Sequence, residues 1–252
     1  MAANNDSRAI YPSLRGKRVL ITGGGSGIGA GIVEAFSRQE SDVTFFDICE
    51  EDSREVAERT GATFIHANLQ DVAGTQSAIA DLASSGGPID VLVNNAANDD
   101  RHSIDDVTEA YWDDRLNVNL KHQFFCAQAV VPGMRSSGGG AIVNLGSISW
   151  HLALPDLVLY QTCKAAIEGM TRALARDLGP DNIRVTCVVP GNVRTPRQLQ
   201  WYTPEAEAEI VAAQALKGRL APEDVAALVL FLASAEARLI TGHEYFVDAG
   251  WR

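Results

Sequence analysis

A chain of 252 residues with 46% apolar side chains is long enough to bury a large core, and its size suits one doubly wound α/β unit. Its 32 acidic and 21 basic residues leave a formal charge of −11, a field that repels phosphate backbones and anionic lipid, so nucleic acid and membrane are not expected partners. The first dozen residues hold no apolar stretch fit for a signal peptide, and no window approaches the roughly 18 apolar residues of a spanning helix.

Four dispersed cysteines, Cys49, Cys126, Cys163 and Cys187, show no Cys-x-x-Cys spacing. Free thiols in a reducing cytoplasm, with no metal centre, are the expectation.

Apolar β-branched runs alternate with longer helical patterns along the chain. Residues 18–22, 43–47, 62–67, 91–95, 141–147 and 183–189 read as buried strands. Residues 27–39, 51–60, 72–84, 110–134 and 158–178 read as helices, with another starting near Pro222 and a last strand in the tail that carries Trp251. Continuous apolar strands, each followed by a helix, imply a parallel sheet covered on both faces. Right-handed crossovers leave a Rossmann-type fold, a doubly wound α/β/α three-layer arrangement, as the expectation. One dinucleotide-binding catalytic domain over 1–252 follows, interrupted at 192–217 by a stretch with Trp201 and Tyr202 that reads as a substrate loop or lid.

Directly after the first strand, residues 22–29 read T-G-G-G-S-G-I-G. Gly23, Gly27 and Gly29 permit a tight turn and close approach to a pyrophosphate, and the helix that follows points free N–H groups at it. Asp47 ends the second strand, near the roughly 20-residue spacing of a ribose-binding acid. A carboxylate there accepts from the ribose hydroxyls and repels a 2′-phosphate. No Arg or Lys occupies 24–26 or 48–50, so NAD is expected over NADP; the competing reading has Asp47 capping the next helix.

Ser147 is read as closing the fifth strand, with Tyr160 downstream and Lys164 one helical turn beyond it. The i, i+4 spacing puts phenol and ammonium on one helix face. A phenol near pKa 10 serves as a base at neutral pH only when shifted, and the lysine and a positive nicotinamide ring are expected to lower it. Ser147 would donate to the reacting oxygen, and Asn119 would hold a water between Lys164 and solvent.

Taken in order, these motifs resemble the short-chain dehydrogenase/reductase family from about residue 14 to the C-terminus, together with N-N-A-A at 94–97 and P-G-N-V-R-T at 190–195. The resemblance implies a tetrad of Asn119, Ser147, Tyr160 and Lys164, hydride transfer to or from NAD, and a homotetramer or homodimer. It also implies cofactor contacts from Gly23, Ser26, Gly27, Ile28, Gly29, Asp47, Asn68, Leu69, Asn95, Ala96, Tyr160, Lys164, Pro190, Gly191, Val193 and Thr195. Val193 would meet the carboxamide through its backbone and Thr195 through its hydroxyl. Two departures stand out: Ala97 replaces the usual glycine beside the nicotinamide pocket, and Asn68 replaces the usual aspartate near the adenine.

Segments bordering the pocket in such a fold, 98–102, 149–152 and 197–202, are rich in amides, acids, His and Trp. That mix suits sugar hydroxyls, with indole faces for a pyranose ring. Asn98, Ser147, Ser149, Trp150, Tyr160, Gln161, Asn192 and Trp201 are the expected substrate contacts. Within the family, S-I-S-W-H-L, N-D-D-R-H, W-Y-T-P-E and the C-terminal tail are similar to bacterial aldose 1-dehydrogenases. This similarity implies oxidation of an anomeric hydroxyl, D-xylose to its lactone first. L-arabinose, D-galactose or L-fucose, a 3-oxoacyl or polyol reductase, and a non-catalytic NAD sensor are the alternatives. Cys163 reads as a packed core thiol, with a reactive thiol near Lys164 as the alternative.

Overall fold

Seven strands form one parallel sheet in the order β3-β2-β1-β4-β5-β6-β7. They are β1 (Arg18–Thr22), β2 (Asp42–Asp47), β3 (Thr63–His66), β4 (Val91–Asn94), β5 (Gly140–Leu145), β6 (Ile183–Pro190) and β7 (Glu244–Val247). The computed structural model describes residues 8–252, so the first seven of the dozen residues read for a signal peptide lie outside the described residues.

The apolar runs of β1, β2, β4, β5 and β6 are explained by burial on both faces; β3, expected to be buried, lies at the sheet edge with Thr63 and His66 exposed. Along β1, Val19 and Ile21 pack with Ile32, Phe36, Val225 and Val229, while Leu20 packs with Ile79, Val130 and Met134 on the other side. The first layer is built from α1 (Gly27–Arg38), α2 (Glu50–Thr60) and α9 (Pro222–Ala233). The second comes from α3 (Val72–Gly86), α5 (His122–Ser136) and α6 (Val158–Leu178). The strand order reverses between β1 and β4, which pair through Thr22 and Asn94, so the loops after these strands border the crevice where such sheets bind ligands. Among the described residues no helix is long and apolar enough to cross a membrane.

Three expected boundaries change. β5 stops at Leu145, so Ser147 lies in the following loop and not on the strand. The helix expected over 110–134 is divided into α4 (Glu109–Leu116), a π turn (Asn117–Lys121) and α5. The wide turn accommodates buried Asn119, whose amide is drawn to the backbone of Asn98 and Arg115. Residues 192–217 contain α7 (Pro196–Leu199) and α8 (Pro204–Ala213), started by Thr195 and Thr203, whose hydroxyls accept from Gln198 and Ala206 backbone N–H.

A buried amide chain ties the layers together below the crevice. Asn94 Nδ2 donates to Gln123 O at 3.1 Å and to Asn144 Oδ1 at 2.9 Å, and Asn144 Nδ2 donates to Thr171 Oγ1 at 3.0 Å. Removing Asn144 strands partners that water cannot reach. Asn144→Ala is expected to cost about 2–3 kcal/mol. Thermal unfolding should therefore fall by roughly 5–10 °C. An unchanged transition would show that the chain carries no stability.

Candidate active site

The loop between β1 and α1 is shaped by close backbone approaches. Gly23 has φ +69°, and a Cβ there would meet Ala96 Cα at 2.8 Å; a methyl on Gly29 would overlap the Gly23 carbonyl. Asn95 Nδ2 braces the turn by donating to Thr22 O and Gly23 O at 3.0 and 2.8 Å, while Thr22 Oγ1 accepts from the N–H groups of Asn95 and Ala96. Ser26, the N-cap of α1, makes no side-chain capping bond, which leaves the helix start open to an anion.

Asp47 does not cap α2, whose N-cap is Cys49. Its Oδ2 accepts from Gly25 N at 2.8 Å and its Oδ1 from Cys49 N at 2.9 Å, so the carboxylate fastens the glycine loop to the end of β2. A glycine cradle, an uncapped helix start and an acid at its edge fit a dinucleotide. Further round the crevice, Asn68 Oδ1 accepts from Gln70 N at 3.1 Å, Leu69 is buried, and half-buried Ile28 packs against the core. Pro190 O accepts from Ile148 N, Gly191 N donates to Val247 O, and Val193 bridges to Leu220. Thr195 Oγ1 accepts from Gln198 N at 3.3 Å and keeps its own proton to donate.

α6 presents Tyr160 and Lys164 one turn apart. Lys164 is 1% exposed; its Nζ donates to Leu145 O at 2.8 Å and stands 5.4 Å from the Tyr160 ring centroid. Burial pulls the ammonium down to about 8 from the usual 10.5. The phenol corrects an expectation: burial, then the charge of Asp99, pushes Tyr160 upward, against the Ser147 hydroxyl and Arg197, which pull it down. Burial outweighs the neighbouring cation, so the phenol stays protonated until more positive charge arrives. Ser147 Oγ donates to Ser149 Oγ at 3.0 Å and accepts from Ser149 N at 3.2 Å. Opposite them, His122 Nε2 donates to Ala96 O at 3.1 Å; burial and Lys164 hold this imidazole down at about 4, hence neutral.

The Asn119 side chain is tied to the loop after β4. Its Oδ1 accepts from Asn98 N at 2.8 Å and its Nδ2 donates to Asn98 O and Arg115 O, both at 3.0 Å. One lone pair remains on Oδ1.

The expected sugar contacts divide. Trp150 Nε1 donates to Glu168 Oε1 at 2.9 Å and its ring lies 3.7 Å from that of His151, which meets the same oxygen at 3.0 Å, so the indole is held in place. Gln161 donates to Leu154 O. Asn192 donates to Tyr202 OH at 2.5 Å and accepts from Arg219 at 2.8 Å. Trp201 is 72% exposed. Asn98 Oδ1 accepts from Asp100 N at 2.9 Å, and Ser149 is buried beside Ser147. Cys163 is fully buried and its thiol is pushed up to about 11, as a core thiol.

Asp99, Arg197, Gln198 and Tyr202 were absent from the expected contacts, although they lie in the bordering segments. Arg197 Nε donates to Asp99 Oδ1 at 2.7 Å and Gln198 Nε2 to Asp99 Oδ2 at 2.9 Å. Nothing local in the sequence marks a pairing of residues so far apart.

A family model described as enoyl-(acyl carrier protein) reductase matches residues 23–252. The chain belongs to the short-chain dehydrogenase/reductase family. As a member it is an oxidoreductase that uses a nicotinamide cofactor. It is 64% identical to a protein named D-xylose 1-dehydrogenase from Caulobacter vibrioides, over 98% of this chain and 100% of that one. It is 46% identical to one from Rhizobium meliloti named as a galactose dehydrogenase, GalD, over 95% and 96%. A solved structure named as a short-chain alcohol dehydrogenase from Sinorhizobium meliloti superposes with a TM-score of 0.88 at 33% identity, over 95% and 98%.

The lowered Lys164 has a measurable consequence. Between about pH 8 and 10.5 the unfolded lysine binds a proton that the folded one has shed, so this group's contribution to stability rises with pH across that window; below it the burial penalty is fully present. The gap in unfolding temperature between the parent and Lys164→Met should move in the parent's favour from pH 8 to pH 10.5. A gap independent of pH would contradict burial as the cause.

Proposed function

We propose that this enzyme oxidises the anomeric hydroxyl of an aldopyranose to the lactone with NAD, D-xylose being the first substrate. The observation that carries this reading is the 64% identity, end to end, with the Caulobacter protein named D-xylose 1-dehydrogenase. The segments that border the crevice support it, since Asn98, Asp99, Ser149, Asn192 and Gln198 supply hydrogen-bonding groups suited to sugar hydroxyls. D-galactose is the second reading, favoured by the 46% identical relative.

Tyr160 accepts the C1-hydroxyl proton and Ser147 holds the same oxygen. The chemistry that a bound nicotinamide supplies is hydride acceptance, with a positive charge beside the phenol. Lys164, fixed to Leu145 O, adds its charge and passes the proton onward. Asn119 is a positioning group that fixes Asn98 and the loop after β4. Gly23, Ser26, Gly27, Ile28 and Gly29 would hold the cofactor's pyrophosphate, and Asn68 and Leu69 its adenine. Asn95, Ala96, Pro190, Gly191, Val193 and Thr195 would border the nicotinamide end.

Asp47 selects NAD: a 2′-phosphate would meet its carboxylate with no Arg or Lys at 24–26 or 48–50 to compensate. We read the chain as one cytoplasmic catalytic domain with residues 192–217 over the substrate. It self-associates as a homotetramer or homodimer, which partly exposed Phe124 on α5 and Val158 on α6 support.

Initial rates of NADH formation with a panel of aldoses, polyols and hydroxyacyl compounds test the assignment. Preference for D-xylose is expected; silence on all sugars with turnover of another alcohol would discard the substrate and keep the family chemistry. Tyr160→Phe should lower kcat/KM by about 10²–10⁴-fold while NAD binding, followed by fluorescence, stays near the parent value. Retained turnover would remove Tyr160 as the base. Asp47→Asn should reduce the NAD-over-NADP preference in kcat/KM by about tenfold or more. An unchanged ratio would place the discrimination elsewhere.

A further inference from the structure

The loop after β5 is fastened in three ways. Its backbone pairs with β6, where Gly146 N donates to Val188 O at 2.8 Å and Ile148 N to Pro190 O at 3.1 Å. It then turns back on itself: Leu152 N donates to Ile148 O and Leu154 N to Ser149 O, with Ala153 at a left-handed φ of +50°. The third fastening is made by side chains. Trp150 Nε1 and His151 Nε2 both meet Glu168 Oε1, at 2.9 and 3.0 Å.

Glu168 stands on α6 one turn beyond Lys164 and two beyond Tyr160, so the three share one face of that helix. Its side chain is 10% exposed and that of His151 6%. A carboxylate so far out of water is tolerated only where it is hydrogen-bonded, and the two donors meet that need. The chain neighbour Ile167 packs against Ile148 of the same loop, and the His151 ring lies 5.0 Å from that of Phe246 on β7. Helix, loop and sheet are thus joined at this carboxylate.

The catalytic serine belongs to the segment so held. Ser147 Oγ donates to Ser149 Oγ at 3.0 Å and accepts from Ser149 N at 3.2 Å, and Trp150 follows at once. The place of the hydroxyl therefore depends on residues 149–151, and Glu168 fixes two of those three. We propose that Glu168 is a positioning residue for the reaction: by holding Trp150 and His151 it aims the Ser147 hydroxyl at the substrate oxygen that Tyr160 also meets. α6 then carries the base directly and sets the serine indirectly, so both keep one frame of reference. This rests on the reading of Ser147 and Tyr160 given for the proposed reaction.

A double-mutant cycle on kcat, with the best substrate of the panel and saturating cofactor, tests the link. Glu168→Leu, which keeps the bulk and drops the acceptor, should lower kcat by about 10–100-fold with NAD binding near the parent value. Glu168→Gln, whose amide oxygen can accept from the same two groups, should recover most of that loss. In a Ser147→Ala background Glu168→Leu should cost little more, because the group it positions is gone. Losses that multiply in the double variant, a parental kcat in Glu168→Leu, or a Gln variant as slow as the Leu variant would each overturn the proposal. Ser147→Ala at the parental rate would instead remove the reading of Ser147, and the proposal with it.

Hydrogen exchange of the backbone over residues 147–154 reads the clamp without turnover. It should quicken in Glu168→Leu and stay close to the parent in Glu168→Gln, whichever alcohol is oxidised. Unchanged exchange in both variants rejects the clamp. If Glu168→Leu does not fold, His151→Phe keeps the ring stack and removes one of the two donors. It enters the same cycle with a smaller expected loss, and a loss that multiplies with that of Ser147→Ala rejects the proposal there too.

Discussion

Lys164 brings an ammonium group almost wholly out of water, where a charge is tolerated only beside a strong acceptor, and it finds the carbonyl of Leu145 at 2.8 Å. Leu145 is the last residue of β5, so the contact fixes the rotation of α6 against the C-terminal edge of the sheet. One turn earlier on that helix, the same rotation points Tyr160 into the crevice. The loop carrying Ser147 and Ser149 leaves the strand right after Leu145. This bond, with those of Thr171 and Glu168, seats α6 beside the loop that carries Ser147 and Ser149. Burial also penalises both charged forms, ammonium and phenolate.

The roof of the site is assembled differently. A π turn carries Asn119 into the interior, where its amide clamps the backbone of Asn98 from both sides. Asn98 leads directly into Asp99 and Asp100, the residues to which α7 is fastened. An irregularity in one helix therefore sets the anchor for α7, about a hundred residues further on. Asn119 fixes the backbone of the loop after β4.

Much of this was legible in order along the chain. Strands buried on both faces announce themselves as continuous apolar runs, so β1, β2, β4, β5 and β6 could be read directly, while the edge strands β3 and β7 were placed by the alternation of strand and helix. The glycine loop, Asp47, Tyr160 and Lys164 sit at spacings that backbone geometry imposes. What escaped reading depends on tertiary pairing. The division of 110–134 has no periodic signature, because a π turn is one extra residue whose reason, Asn98, lies elsewhere. Nothing in S-I-S-W-H-L shows that Glu168 takes the Trp150 N–H. The upward push on Tyr160 comes from burial and from Asp99, and neither follows from the helical spacing that pairs it with Lys164.

The contrast between floor and roof follows from the strength of their contacts. On the floor, a side chain at Gly23 or Gly29 would meet backbone, and nothing flexible can yield, so the cofactor cradle has a single shape. The roof is held by Arg197, Asp99, Asp100 and Gln198, side chains that remain partly in water, where ion pairs contribute about 0–1 kcal/mol each. Contacts that weak hold the roof more loosely than the backbone approaches hold the floor. An apolar seal of equal area would hold harder. A sugar substrate reinforces the same choice, since its hydroxyls exchange readily with amide and carboxylate partners. The polar lining that suits the substrate is thus also what leaves the roof lightly held.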